Sequence, residues 1–287
     1  RQILGFPMWN GQMWENVGKM RATGWELSIN WEDRKGDFDY GIGLNLSSVK
    51  NKAIKLLGST PINAGNFNGD YIIRNEEGGE ISRFYGYVAD GIFQNQTEVN
   101  AHTDEYGTVI QPNAQPGDIR FKDLNHDGKL DDNDKTFIGN AFPDLMVGIN
   151  ARLAWKNIDF AANFYGTIGN DVYNTTKGRY SGVSGENVYA GTYNASWHGE
   201  GTSYDLPRLS YNDANQNWTR VSSFYVEDGS YLRCKQLQIG YTLPKKWTKK
   251  ISLRLSFSAQ NPFTITGYSG MLSLIHISEP TRLQLIS

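Results

Sequence analysis

Between Lys122 and Asp134 the chain reads KDLNHDGKLDDND, and oxygen-bearing side chains recur at Asp123, Asn125, Asp127, Asp131 and Asp134, with Gly128 in the sixth place. A twelve-residue calcium loop uses this spacing, with a backbone carbonyl, here that of Lys129, as the seventh-position ligand and a carboxylate closing the shell at the twelfth. Hard oxygen donors of this kind suit Ca2+ as a structural ion and supply no nucleophile. The closing residue is Asp where helix-loop-helix sensors carry a bidentate Glu, so it would reach the ion through one oxygen or through water. The flanks are not those of an EF-hand: QPGDIRF places Pro-Gly and the alternating Ile119 and Phe121 where a helix should enter, and KTFIGNAFP downstream is turn-rich. The alternative is a polar surface turn, because Asn, Asp and Gly are what such turns are made of. Five side-chain donors in register favour calcium, and in either case the loop stiffens a connection and performs no chemistry.

Other chemistry is hard to find. GxSxG, P-loop and HExxH motifs are absent, and His102, His126, His198 and His276 are scattered along the chain. The expectation is a protein that is not an enzyme. The net charge of -2 and the short basic run KKWTKK, Lys245 to Lys250, argue against nucleic acid as a partner. Cys234 stands alone, which excludes an internal disulfide framework. No run of eighteen apolar residues exists for a membrane-spanning helix, although a β-barrel would leave no such signal.

The elements that must carry the loop are strands. Trp25, Leu27, Ile29 and Trp31 alternate with Glu26, Ser28, Asn30 and Glu32, and after the turn RKGD the segment Phe38 to Ser48 alternates again. Leu145 to Trp155 turns at Lys156 and Asn157 and returns from Ile158 to Phe164. Tyr231 to Leu243 turns through PKKWTKK and returns from Ile251 to Ala259. Three hairpins result, six strands in all, separated by the long polar stretches Val49 to Pro143 and Thr167 to Ser230. The predicted class is all-β and antiparallel.

Short connections alternating with long ones are what an outer-membrane barrel requires, with tight turns on one side of the bilayer and elaborated loops on the other. Strands of roughly ten residues suit a tilted span. Trp25, Trp31, Tyr40, Trp155, Tyr241 and Trp247 lie near strand ends, where amphipathic rings favour the headgroup zone. A soluble, calcium-stabilised β-sandwich that binds carbohydrate would show the same alternation, with the apolar faces buried between two sheets. A passive porin is a third reading. In the long connections Tyr173, Tyr180, Trp197 and Trp218 could stack on sugar rings, although packing of the loops against the barrel or a lid is the better account of any single one of them.

Four stretches together, NVGKMRATGWELSINWEDRKGDFDYGIGLNLSSVKNK, PGDIRFKDLNHDGKLDDNDKTFIGNAFPDLMVGIN, NFYGTIGNDVYN and YLRCKQLQIGYTLPKKWTKKISLRLSFSAQNPFTITGYSG, resemble the C-terminal barrel half of SusC/RagA-type TonB-dependent transporters. The resemblance implies a twenty-two-stranded transmembrane barrel with an N-terminal plug in a Bacteroidota-type outer membrane. It further implies a SusD-like surface lipoprotein as a lid, energisation by TonB, and import of an oligosaccharide or a peptide. The plug, the TonB-contacting segment, the earlier strands and the last strand are expected outside this sequence, which reads as a fragment. Substrate contacts cannot be named from it.

The tail has a different origin. LSLIHISEPTR, Leu272 to Arg282, resembles the in-frame translation of a sequencing-library adapter. The expected division is therefore residues 1–270 as barrel and 271–287 as an artefact, and His276 and Glu279 carry no functional weight.

Overall fold

The structure, a computed structural model, describes residues 18–179, 187–188, 191–248 and 251–270. The expected artefact at 271–287 and the candidate aromatic Tyr180 lie outside the described residues. In chain order the strands are β1 (Gly18–Lys35), β2 (Phe38–Leu56), β3 (Ile62–Phe67), β4 (Asp70–Asn75), β5 (Arg83–Gly86), β6 (Ala89–Ile92), β7 (Ile119–Phe121), β8 (Thr136–Asn140), β9 (Leu145–Trp155), β10 (Ile158–Ile168), β11 (Asp171–Tyr173), β12 (Val226–Asp228), β13 (Tyr231–Thr242) and β14 (Arg254–Thr266). A short helix, α1 (Gln96–Ala101), is capped by Asn95, whose side chain accepts from the Glu98 N–H. No described helix is long and apolar enough to cross a membrane, which says nothing about strands.

The chain divides into two compact units. One is a wall: an antiparallel sheet in the order β1-β2-β9-β10-β13-β14, the six strands expected from alternation. β9 runs from Leu145 to Trp155 as predicted, whereas β1 and β2 run further than their apolar alternation does.

The register explains why this sequence makes a two-faced sheet. Phe38, Trp155, Ile158, Tyr241 and Leu255 stand in one cross-strand row. Two residues along, Tyr40, Leu153, Phe160, Ile239 and Phe257 form the next. A period of two then places every intervening residue on the opposite face. There the row Gly43, Asn150, Asn163, Gln236 and Gln260 carries no apolar side chain. Gly240 is required on that face: a Cβ would lie 2.5 Å from Asp159 Oδ1 and from Arg254 Nη2, whose ion pair closes at 2.5 Å.

The apolar face remains open. Ile42 is 53%, Trp155 52%, Ile239 48% and Phe257 47% exposed, so no second sheet of this unit packs on it. That separates the wall from a soluble sandwich, in which the face would be the core. The ladder shifts register at Lys235, which opposes neither β10 nor β14 in step. Pro262, which has no N–H for a ladder, lies within the same irregularity of β14.

The other unit is built from the two long connections, and it corrects the expectation that they are only loops. It contains a four-stranded sheet, β3-β4-β5-β8, and the pair β6-β7. Phe67, Ile72, Phe84, Val221 and Tyr225 form its main core, with Tyr173 and Phe224 packed alongside. Tyr87, Ile119 and Phe121 form a second cluster. Fully burying a side chain such as Ile119 or Phe121 contributes roughly 1.5–3 kcal/mol, which is how strands of three or four residues persist.

Candidate functional site

The Asp-rich loop lies in the unit made by the long connections, and it is held together by its own carboxylates. Asp123 is 8% exposed and accepts from the His126 N–H at 2.7 Å and the Gly128 N–H at 2.8 Å. Asn125 accepts from the Asp127 N–H, and Asp127 accepts from the Lys129 N–H at 3.0 Å. Asp131 accepts from the Asn133 N–H at 2.8 Å. Asp134, fully buried, accepts from the Leu124 N–H at 2.8 Å and the Asp131 N–H at 2.9 Å, tying the two ends of the loop together. Gly128 has φ +78°, and a Cβ there would run into the Asp104 carboxylate, so glycine is needed for both conformation and space.

Asp, Asn and backbone carbonyl oxygens are the donor chemistry of a hard cation. Among the described residues, however, no three His, Cys, Asp or Glu side chains converge as a metal-holding group. The geometry in hand is a loop supported by N–H donors. Carboxylates bonded this way stabilise by about 1.5–3 kcal/mol per bond, so Asp123 and Asp134 have a structural role with or without an ion.

A cleft of about 630 Å³ opens beside this loop, between residues 102–110 and 122–126. Its walls include His102, Asp104, Glu105, Lys122, Asp123 and His126. The His102 ring lies edge-on to Phe93 at 5.6 Å, with Nε2 3.1 Å from the Phe121 carbonyl oxygen. Burial holds this imidazole below its ordinary value of 6.5, against the pull of the Phe121 carbonyl and of Asp123 and Asp90. With a folded pKa below the unfolded one, stability is unaffected above the unfolded value. It declines as pH falls through 6.5, because folding must then release a proton. We expect protease resistance around residues 102–126 to weaken between pH 7 and pH 5 and His102→Gln to flatten that dependence.

A denser polar assembly, which sequence reading missed, surrounds β7. Asp118 is fully buried and accepts from Arg208 Nε at 2.6 Å, from Asn217 Nδ2 at 2.8 Å and from the Gln115 N–H at 2.8 Å. Gln111 behaves as a neighbouring strand would: its Nε2 donates to the Ile119 carbonyl, and its Oε1 accepts from the Phe121 N–H at 2.7 Å. Asn215 joins the set by donating to the Ile119 carbonyl. The assembly ties the first long connection to the second, and the only sequence signal for it is an excess of Asn and Gln around apolar residues.

Of the aromatic residues considered for sugar stacking, Trp218 is 2% exposed and donates its indole N–H to the Arg208 carbonyl. Tyr173 packs on Phe67, Phe84 and Tyr225, and burial pushes its phenol far above the usual range. Trp197 is half-buried, pressed against Gly117. The three are packing residues. The open rings of these connections are instead Tyr106 at 85%, Tyr211 at 75%, Tyr204 at 66% and Tyr193 at 64% exposed, with Tyr193 stacked on His198.

The fold and sequence both have relatives. No family model matches the chain. It is 32% identical to TonB-dependent receptor P3 of Formosa agariphila, over 89% of this chain and 25% of that protein. It is 26% identical to TonB-dependent receptor SusC of Bacteroides thetaiotaomicron, over 91% of this chain and 25% of that protein. The solved structure of the RagAB peptide transporter superposes with a TM-score of 0.67 at 20% identity, covering 90% of this chain and 27% of that one. The chain thus spans about a quarter of the length of the curated relatives it matches. An open apolar face backed by a polar one fits the wall of a transmembrane β-barrel, and over most of its length the chain is similar in sequence to TonB-dependent receptors and shares the fold of part of the RagAB transporter.

Proposed function

We propose that this chain is part of the barrel of a TonB-dependent importer that carries a nutrient across the bacterial outer membrane, where the protein resides. The observation that carries the reading is the wall: cross-strand apolar rows open on one face, polar rows on the other, and short connections alternating with long ones. In such a wall the apolar face meets lipid and the polar face lines the lumen. TonB acts through parts of the protein outside this sequence, and a SusD-like lipoprotein covers the extracellular mouth of the barrel.

Oligosaccharide is the proposed substrate class, favoured by the exposed rings of Tyr106, Tyr193, Tyr204 and Tyr211, on which sugar faces stack. Peptide is the second reading, favoured by the fold shared with the RagAB peptide transporter. Uptake of labelled oligosaccharides and peptides should be compared in cells with the full-length gene, without it, and without TonB. Loss of oligosaccharide uptake in both deletions is expected; loss of peptide uptake instead transfers the assignment, and unchanged uptake of both refutes import. Co-purification of a surface lipoprotein with the full-length protein is expected from the lid.

The Asp-rich loop is proposed as a structural calcium site, through Asp123, Asn125, Asp127, Lys129, Asp131 and Asp134, with the outer-membrane lipid and the barrel unaffected by the ion. Chelation should then speed proteolysis within residues 122–134 several-fold in the full-length protein and leave the barrel intact. Equal cleavage with and without chelator would mean that the backbone bonds of the loop suffice alone.

A further inference from the structure

We propose that the short-connection rim of the wall is a docking surface for the phosphate headgroups of anionic phospholipids. This rests on the membrane reading above and adds a lipid preference to it. The rim is asymmetric in charge. The connection between β13 and β14 contains Lys245, Lys246, Lys249 and Lys250 and no acidic residue. The two long connections, which join the opposite ends of the strands, carry six Lys or Arg against fifteen Asp or Glu in residues 57–144, and four against seven in residues 169–230.

The second short connection lies beside the third, because β10 pairs with β13 and the Thr242 N–H donates to the Asn157 carbonyl at 2.8 Å. Lys156 therefore joins Lys245 and Lys246 on one rim. Its Nζ stands 5.1 Å from the Trp155 ring centre. Two acidic residues lie beside this patch: Asp37, whose carbonyl accepts from the Lys156 N–H at 3.2 Å, and Asp159, whose carboxylate is held by Arg254 on the polar face. The first short connection adds Arg34 and Lys35 but also Asp33 and Asp37, so it contributes no net charge.

Directly against these cations runs the outermost apolar row. Trp155 is 52%, Ile158 44%, Tyr241 37% and Leu255 47% exposed, and Trp247 in the connection itself is 69% exposed. A row of open apolar and aromatic side chains at the same end of the strands as lysines without carboxylate partners among the described residues matches the layering of acyl chain, interface and phosphate in a lipid leaflet. A nucleic acid or acidic protein would match the lysines and leave the apolar row in water.

The test uses the full-length protein in bilayers of equimolar phosphatidylcholine and phosphatidylglycerol, with lipids retained after mild detergent extraction counted by native mass spectrometry. Each lysine near an anionic surface favours it roughly five-fold. Phosphatidylglycerol should accordingly be retained several-fold over phosphatidylcholine, and the variant K156Q/K245Q/K246Q should lose most of that preference while W247A with the lysines intact keeps it. Inorganic phosphate at millimolar level should not compete, since it lacks the acyl chains that the apolar row covers. Equal retention of the two lipids, an unchanged preference in the triple variant, or full competition by free phosphate would each overturn the proposal. Heat-modifiable migration shows whether each variant is inserted, and K156Q alone gives a milder probe if the triple variant is not. A full-length protein absent from outer membranes would defeat the membrane reading itself, whereas an inserted protein without lipid preference defeats only this inference.

Discussion

Asp118→Ala should destabilise the unit formed by the long connections by roughly 2–4 kcal/mol, of which about 1–3 is the cost of leaving the buried Asn217 amide without an acceptor and the rest comes from the unpaired Arg208 guanidinium, which can turn to water. Asp118 is fully buried, while the Arg208 side chain it holds is 23% exposed. Removing the carboxylate also orphans Asn217 Nδ2 and the Gln115 N–H. Hydrogen exchange on the full-length protein should show residues 111–121 and 206–221 opening together, because the same side chains tie both segments to β7. The wall should keep its exchange protection. Asp118→Asn, which keeps an acceptor, should cost less, and the double change D118N/R208M should recover part of the loss. Asp159→Ala is the contrast: that pair with Arg254 is 36% and 40% exposed, and its loss should cost less than about 1 kcal/mol. Unaltered exchange in Asp118→Ala would show that apolar packing alone holds the connections.

Ile239→Arg should impair the barrel far more than Gln238→Arg one residue away. Ile239 stands in the row between Phe160 and Phe257, and Gln238 stands between Ala161 and Ser258 on the other face. A charged side chain on the lipid face costs about 2–4 kcal/mol at the bilayer midplane and about 0–1 at the interfaces, so one row in from the rim the cost falls between the two, whereas the lumen face can solvate it. Folding titrations of the full-length protein in bilayers should therefore separate the two variants by that amount. Equal losses would mean that the two faces have similar surroundings.

The wall was legible in the sequence because a single physical rule, alternation with period two, runs through seven or more residues in each strand. β9 and the starts of β2 and β10 fall where alternation places them. β2 continues to Leu56 through Lys50, Asn51 and Lys52, where no apolar pattern marks it. The strands of the long connections were not legible for a different reason. β7 has three residues, and one of its neighbours is the Gln111 side chain rather than a strand, so no periodicity could have announced it. The Asp-rich loop was visible as a loop, and its spacing also fits the web of N–H bonds it makes, because Asx turns and cation shells both want an oxygen at every second residue. Aromatic residues gave least: Trp218 and Tyr211 look alike in sequence, and only packing makes one 2% and the other 75% exposed.

The central claim is that the apolar rows of the wall face lipid. Single cysteines placed at Ile42, Leu153, Ile239 and Phe257 in the full-length protein, and at Gln238 and Ser258 on the opposite face, can each carry an environment-sensitive fluorophore. Quenching by nitroxide-labelled lipid is the direct measurement. Strong lipid quenching at the first four positions, with Gln238 and Ser258 quenched only by a water-soluble agent, is the predicted result. Apolar positions shielded from both quenchers would place that face in a protein core and contradict the barrel.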